Sequence, residues 1–403
     1  MTYKSPNHNE LNKHILTEIG LASCSKNQGQ KKYIINWPDL SIRWIFSIRN
    51  LRAGYLSFQE NFSLRQRLIN IMVCVLSILP VKIFNLVSAR NFIIQKSSVL
   101  GRVMSYYNAD DWDFFAGSPG INRNIVVAIY KNENIVGYLK KPLYHRHKAQ
   151  YSKLSDKFLT EADGYKYINS LKLGRIITPR VKVFDDAIFM SPMEGRGLNR
   201  KDHQKIVTSL NEIRNTTSNF FSIQEYIERK NLLNKIDILS TSSPIDSSFG
   251  LSCLNKIISS VSSRILDLPK THEINCSFAL VDFTSWNNFL IEDKIGLIDI
   301  EFCEKNITLG YDLAHFYIQD YLMSTSRPTH IRLQNIIVKN ILPSLVSDFG
   351  ISTSDAKLYV DLYLIQKVID SLSSYAKQDK LHQQAKVQLK FWEDINMLWV
   401  GEF

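Results

Sequence analysis

The sequence predicts an α+β chain, with strands gathered before about residue 193 and helices dominating after it. Three observations carry this. Ile125–Tyr130 and Ile135–Lys140 are β-branched and aromatic runs on either side of the turn Asn132-Glu133-Asn134, the signature of an antiparallel hairpin. Apolar residues recur every three or four positions in 153–171. Beyond Gly197 they do so again in 202–239, 251–268, 329–349, 352–376 and 381–400, as amphipathic helices require. Two short apolar runs at 288–291 and 295–300 flank the polar corner Glu292-Asp293-Lys294, a second hairpin set among the helices.

The chain has 403 residues, 45% hydrophobic and 22% charged, the composition of a folded protein with room for two or three domains. Its five cysteines, at 24, 74, 253, 276 and 303, form no C-x-x-C pair, so neither a zinc site nor a disulfide framework is indicated. A reducing cytoplasm is the simplest compartment. The polar first 20 residues do not read as a secretory leader. Residues 1–100 hold 13 of the 49 Lys and Arg but 4 of the 38 Asp and Glu, which places +9 of the net +11 there. Such a segment suits an anionic membrane, an acidic partner or nucleic acid, a solvated basic face being the plainer alternative. With no helix-turn-helix, zinc or RNA-binding signature, nucleic acid is not an expected partner.

In chain order, residues 1–30 are polar without a sustained period and read as loosely ordered. Tyr33 to Pro38 reads as a short strand stopped by proline. Leu64–Ala89 is the most apolar stretch. Pro80 and Lys82 interrupt it, and its uncharged part falls short of the roughly 20 residues a spanning helix needs. A buried helix pair is the plain reading. An interfacial helix is the sharper one, because Arg65, Arg67, Lys82 and Arg90 flank the apolar residues, making 64–96 the expected contact with an anionic membrane.

From Val99 the pattern changes. The turn Gly117-Ser118-Pro119-Gly120 precedes the first hairpin, and glycine there exposes backbone N–H groups that suit phosphate, although the tetrapeptide is also simply a good turn. Lys140 ends the second strand beside Lys141, and strand alternation lets only one of them point inward. The helix over 153–171 carries Glu161 and Asp163. Two further strands, near 176–183 and 187–190, close on Ser191-Pro192-Met193-Glu194-Gly195.

The second hairpin follows Asp282-Phe283-Thr284-Ser285-Trp286-Asn287. A turn centred near Asp293-Lys294 sets Asn288 opposite Asp299 and folds Asp299 back beside Asn287, with Asp282 one loop away. Two carboxylates and an amide so grouped are hard oxygen ligands of the kind Mg²⁺ takes together with substrate phosphates. Glu301 lies two residues beyond Asp299, on the same strand face. After it, Gly310-Tyr311-Asp312-Leu313-Ala314-His315 opens a helix in which Asp312 reads as structural and His315, with no partner visible, as a packed helix residue.

The spacing Asp282-x₄-Asn287, then a short hairpin ending in Ile298-Asp299-Ile300-Glu301, resembles the catalytic segment of the protein-kinase-like phosphotransferases, and is most similar to the aminoglycoside and choline phosphotransferase branch. There the loop reads H-G-D-x-x-x-x-N and the metal segment I-D-x-E. Ser285 stands where a similar D-F-T-P-W-N variant has proline, and Leu280-Val281 stand where the family has His-Gly. The resemblance covers about residues 99–320.

The resemblance implies a two-lobed protein-kinase-like fold: a small antiparallel sheet lobe at 98–193 and a larger helical lobe at 194–403, after a basic accessory segment at 1–97. It implies ATP or another nucleoside triphosphate and Mg²⁺. Lys140 would hold the α- and β-phosphates, paired with Glu161, while Gly117 and Gly120 approach the nucleotide and Met193 lines the adenine pocket. Asn287 and Asp299 would hold the metal, with Glu301 as a further ligand or a residue behind one. Asp282 would orient an attacking hydroxyl and accept its proton, on a loop braced by Asp312. The expected activity is an ATP- and Mg²⁺-dependent phosphotransferase acting on a small-molecule or sugar hydroxyl, in the cytoplasm or at the inner face of the membrane. The Leu280-Val281 departure supports a second reading, a catalytically degenerate pseudokinase-like module that docks a membrane or partner.

Overall fold

In the computed structural model the described residues are 8–25, 28–36, 42–47, 49, 87–117, 124–143, 152–241, 251–325, 327–376, 381 and 383–399. Of the stretch expected as a membrane contact (64–96) or a buried helix pair (64–89), residues 64–86 lie outside them, as does Gly120, while Val87–Ile94 is a strand and not helix. The chain divides into two compact units, Met1–Tyr165 with Pro179–Glu194, and Lys166–Thr178 with Gly195–Phe403. No helix among the described residues is long and apolar enough to cross a membrane. The expected α+β class is what the structure has, with a large antiparallel sheet in the first unit and most of the helices in the second.

The first unit begins with α1 (His8–Ile19) and β1 (Leu21–Cys24), then β2 (Gln30–Asn36), β3 (Ile42–Phe46) and β4 (Val87–Ile94). Residues 8–19 are therefore helical rather than loosely ordered. Ile15, Leu16 and Ile19 fall on one helical face and are buried, a stripe too short to register as a period. Next come α2 (Val99–Tyr107), β5 (Asp111–Ala116), β6 (Asn124–Lys131), β7 (Asn134–Pro142) and α3 (Ser152–Ser170), whose residues up to Tyr165 belong to this unit. After β8 (Ile176–Ile177), which belongs to the second unit, β9 (Val181–Phe184) and β10 (Ala187–Met190) complete it.

Among the described residues these strands form one nine-stranded sheet in the order β1-β4-β2-β3-β5-β6-β7-β10-β9, with antiparallel pairing throughout. The β6–β7 hairpin closes at Asn132-Glu133, both at positive φ (51° and 67°), the two-residue turn whose twist matches that of the strands. Segment 1–97, expected as an accessory region, contributes β1–β4 to this same sheet. It is tied in by Lys32, a buried ammonium that donates to the Asp111 carboxylate and the Trp112 carbonyl and lies 3.6 Å from Asp113. Ile45, Phe92, Trp112, Phe114, Val127 and Leu139 form part of the core beneath.

The second unit holds β11 (Arg196–Gly197), α4 (His203–Thr217), β12 (Asn219–Ser222), α5 (Ile223–Arg229), α6 (Leu232–Thr241), α7 (Leu251–Asp267) and β13 (Glu273–Ala279). It continues with β14 (Asn288–Ile291), β15 (Lys294–Leu297), β16 (Glu304–Thr308), α8 (Tyr311–Ser324), α9 (His330–Ile336), α10 (Leu342–Ser347), α11 (Thr353–Tyr375) and α12 (Gln383–Trp392). The helical period expected through 202–229 is broken by β12, because Ser222 caps α5 in a reciprocal box with Glu225 and so starts a new helix there. Pro343 sits in the first turn of α10 after a π-helical stretch at Ile337–Ile341, the interruption expected of a proline without an amide proton. Two small sheets, β11-β14-β15-β8 and β12-β13-β16, carry the loop described next.

Candidate functional site

The loop after β13 is a tight reversal. The Asp282 amide donates to the Leu280 carbonyl at 2.8 Å, across Val281 at φ +66°. A hydrogen bond between residues two apart, spanned by a positive φ, is a γ-turn of the strained kind, and a β-branched residue there is rarer still. The turn is held from outside. Leu280 and Val281 both donate their amides to the Asp312 carboxylate, each at 2.8 Å. Beyond Asp282, buried Phe283 and Thr284 anchor the loop, Asn288 Nδ2 donates to the Thr284 carbonyl at 2.7 Å, and Ser285 Oγ reaches Asp320 on α8 at 3.4 Å. The reversal is thus fixed on both sides of Asp282.

Asn287 closes the loop on Asp282: its Nδ2 donates to Asp282 Oδ2 at 2.8 Å, which leaves Oδ1 as the oxygen the amide presents. The Asn287 carbonyl in turn accepts the Ile298 amide at 3.1 Å, so Asp299 follows directly on a residue pinned to Asn287. The hairpin between them differs from expectation in register. The turn is Glu292-Asp293, with Glu292 at φ +56°, so Asn288 pairs with Leu297 and not with Asp299. β15 ends at Leu297, and Asp299 lies beyond it in a left-handed conformation, φ +57°. That bend ends strand alternation, so Asp299 and Glu301 do not share a strand face as expected; both are half-buried. The oxygens offered here, one amide carbonyl and two carboxylates, are the donor set a small hard cation takes, and they fit Mg²⁺ on chemistry.

Helix α8 supplies what the sequence did not point to. His315 is 1% exposed. Its Nε2 lies 3.2 Å from Asp282 Oδ1, and its Nδ1 lies 3.2 Å from the hydroxyl of Tyr363 on α11. The ring stacks on Tyr311 with planes 7° apart. Asp312 and His315 are three apart on one helix and therefore face the same way. That spacing is the signal which, once Asp312 is read as bracing the loop, brings His315 to it as well.

The electrostatics divide the three titratable groups. Burial disfavours charge on Asp282, but the hydrogen bond from His315, the Lys367 ammonium and the Asn287 amide outweigh it and hold the carboxyl below its ordinary value, so it is ionised. Burial pushes Asp312 up to about 7 against its two backbone donors, with the Asp282 charge adding to the rise. Burial and the Lys367 charge push His315 down to about 4 although Asp282 pulls the other way, so the imidazole is neutral. A neutral ring beside a carboxylate donates through Nε2–H, and its Nδ1 then accepts from the Tyr363 hydroxyl. The arrangement is an ionised carboxylate, oriented by two donors, with acceptor capacity left for a hydroxyl.

In the first unit, Lys140 and Lys141 take opposite faces of β7. Lys140 Nζ donates to Glu161 Oε2 at 2.7 Å, with side chains 5% and 0% exposed. Lys141 turns to Asp186 and to Glu18, the latter at 3.5 Å. Tyr165 backs the first pair, its hydroxyl 3.5 Å from Glu161 Oε1 and 3.7 Å from Met190 Sδ, while Asp163 is exposed. Gly117 donates its amide to the Asn124 carbonyl at 2.9 Å, and Met193 is half-buried after β10.

No family model and no curated protein matches the chain. Among solved structures it is similar to an ADP-bound aminoglycoside phosphotransferase (12% identity over 75% of this chain and 99% of that one, TM-score 0.42). It is similar to a choline kinase from Cryptosporidium parvum (14%, 72% and 93%, TM-score 0.41) and to an ethanolamine kinase from Plasmodium vivax (12%, 87% and 93%, TM-score 0.44).

Proposed function

We propose that the chain is an ATP- and Mg²⁺-dependent phosphotransferase that acts on the hydroxyl of a small molecule or sugar. The observation that carries this is the geometry of Asp282. It is an ionised carboxylate at the tip of a strained reversal, bonded by Asn287 five residues on, with Asp299 placed just past the short hairpin. A structural acid needs no such support, whereas a base that must meet a hydroxyl does.

In this reading Asp282 accepts a hydrogen bond from the acceptor hydroxyl and aligns its oxygen with the γ-phosphorus. The oxygen–phosphorus bond forms as the bridge from the γ-phosphorus to the β-phosphate oxygen breaks. The nucleoside diphosphate leaves with that electron pair, and the hydroxyl proton passes to Asp282 and on to solvent. Lys140, set by Glu161, holds the α- and β-phosphates. Asn287 and Asp299 would hold Mg²⁺, with Glu301 as a further ligand or the residue behind one. A bound Mg²⁺ supplies positive charge against the phosphate oxygens. Gly117, Gly120 and Met193 are assigned to nucleotide contact by the motif resemblance alone.

Thermal shift with ATP, with and without Mg²⁺, tests the reading on wild type and Asp299→Ala. A ligand that binds only the folded state raises Tm by mass action. A Mg²⁺-dependent rise that Asp299→Ala abolishes, together with slow ATP hydrolysis, is expected. No rise with any nucleoside triphosphate overturns it. A rise without any turnover instead supports a pseudokinase-like binding module, the reading that Leu280-Val281 favours.

A further inference from the structure

The family pattern places a histidine two residues before the loop aspartate, and this chain has Leu280 there. Leu280 is 2% exposed and its amide is taken by Asp312. The imidazole in this structure arrives from elsewhere: from α8, 33 residues downstream, and it bonds the aspartate side chain itself. We propose that His315 is a positioning residue for Asp282, an Nε2–H donor that fixes one carboxylate oxygen so that the other face meets the acceptor hydroxyl, with Tyr363 fixing the tautomer.

Four features support this. Asp282 Oδ1 and Oδ2 are each held by one donor, His315 Nε2 at 3.2 Å and Asn287 Nδ2 at 2.8 Å, which fixes rotation about the bond to the carboxylate. The ring cannot swing away, because Tyr311 stacks on it and Tyr363 packs edge-on against both rings, at 4.8 Å from Tyr311 and 6.1 Å from His315. Tyr363 is fully buried, and its hydroxyl faces Nδ1. The Tyr363 hydroxyl therefore donates to Nδ1 and the proton sits on Nε2, facing the carboxylate. Finally, the same helix turn braces the backbone of the loop through Asp312 and its side chain through His315, so α8 sets both where the loop lies and where its carboxylate points. His315 neither gains nor loses a proton in the step; it orients the group that does.

The proposal rests on Asp282 being the base of the phosphotransfer reading. The test uses the full chain, with water as acceptor: Mg²⁺-ATP hydrolysis by wild type, His315→Leu, His315→Gln and Tyr363→Phe. The imidazole nitrogens are followed by ¹⁵N NMR. A positioned base contributes roughly 10²-fold or more, and losing its orientation while keeping the carboxylate is expected to lower kcat by about tenfold. His315→Leu should show that fall with KM for ATP little changed. His315→Gln, whose amide N–H can replace Nε2–H, should recover most of kcat, with Tyr363→Phe between them. Wild type should show the neutral Nε2–H tautomer, and Tyr363→Phe a mixture of tautomers. Wild-type turnover in His315→Leu overturns the proposal alone. So does a His315→Gln variant as impaired as His315→Leu and equally destabilised, the mark of a packing role. A wild type that neither binds nor hydrolyses Mg²⁺-ATP overturns the phosphotransfer reading and the proposal with it.

Discussion

Asp312 Oδ1 accepts the Val281 amide at 2.8 Å, and that bond, with its twin from Leu280 to Oδ2, holds the reversal on which Asp282 sits. Leu280 is buried, and the second donor, half-buried Val281, is itself the residue at positive φ, so the acid offsets strain as well as satisfying amides. Asp312→Ala leaves two amides without their acceptor. At about 1–3 kcal/mol for each buried group left unpaired, a loss of roughly 3 kcal/mol is expected in urea unfolding. Asp312→Asn keeps one accepting oxygen and resembles the protonated acid, whose pKa stands at about 7, so it should cost about half as much. A loss for Asp312→Ala with none for the isosteric Asp312→Asn would show that the carboxylate fills space and does not hold the loop.

The Lys140–Glu161 pair gives a second expectation. Both side chains are buried, and each charge stabilises the other at its site. Lys140→Met takes the ammonium from the buried Glu161 carboxylate and should destabilise by about 3–5 kcal/mol. Lys140→Met with Glu161→Leu removes both charges and should recover most of that loss, since an apolar pair of similar volume replaces a buried ion pair at little cost. ATP-induced thermal shift should be lost in both variants. A double variant no more stable than the single one would mean that the pair also fixes the packing of α3 on β7.

Acid stability should carry the mark of His315. Its folded pKa of about 4 lies below the ordinary 6.5, so between those values the unfolded chain holds the extra proton. The contribution is therefore fully present above about pH 6.5 and is lost as pH falls through 4. The span is worth about 3 kcal/mol. Asp113, which burial raises to about 6, works the other way: its contribution is present below about pH 4 and lost as pH rises through 6. Because Asp113 is common to both proteins, it cancels in the comparison. Wild type should lose about 3 kcal/mol more than His315→Gln between pH 7 and pH 4 in urea titrations. Parallel curves would show that the imidazole is not held neutral.

What the sequence made legible follows from how local each signal is. The Asp282-x₄-Asn287 spacing sits within one loop, and the two side chains do meet. Lys140 and Lys141 alternate within one strand, so only the choice between them needed the partner helix. The hairpin register differs from expectation by the placement of one turn: Lys294 belongs to the strand and Glu292 takes the left-handed position, for which glutamate gives no sequence signal. His315 was invisible for a different reason. Its partners, Asp282 and Tyr363, are 33 and 48 residues away, and no periodicity links residues across separate elements. α1 is not legible because the few apolar residues of a polar segment become a face only once there is a sheet to cover.

Val281 offers the sharpest test of the loop. A valine at φ +66° has its Cβ in the region that only glycine occupies without cost, and the strain is of order 1–3 kcal/mol. Replacing a half-buried valine by glycine ordinarily destabilises, through lost apolar contact and about 0.5–1 kcal/mol of added unfolded-state entropy. Here the backbone gain opposes both, so Val281→Gly should be neutral or stabilising by up to about 1 kcal/mol, whereas Val281→Ala, which keeps the Cβ and loses the contacts, should destabilise. Glycine is also the residue that the phosphotransferase pattern carries at this position, so the variant should retain whatever ATP hydrolysis the wild type shows. The order of the three proteins in urea decides the matter. If Val281→Gly falls below Val281→Ala, the turn is not strained in solution, and the bracing role of Asp312 must be explained by its hydrogen bonds alone.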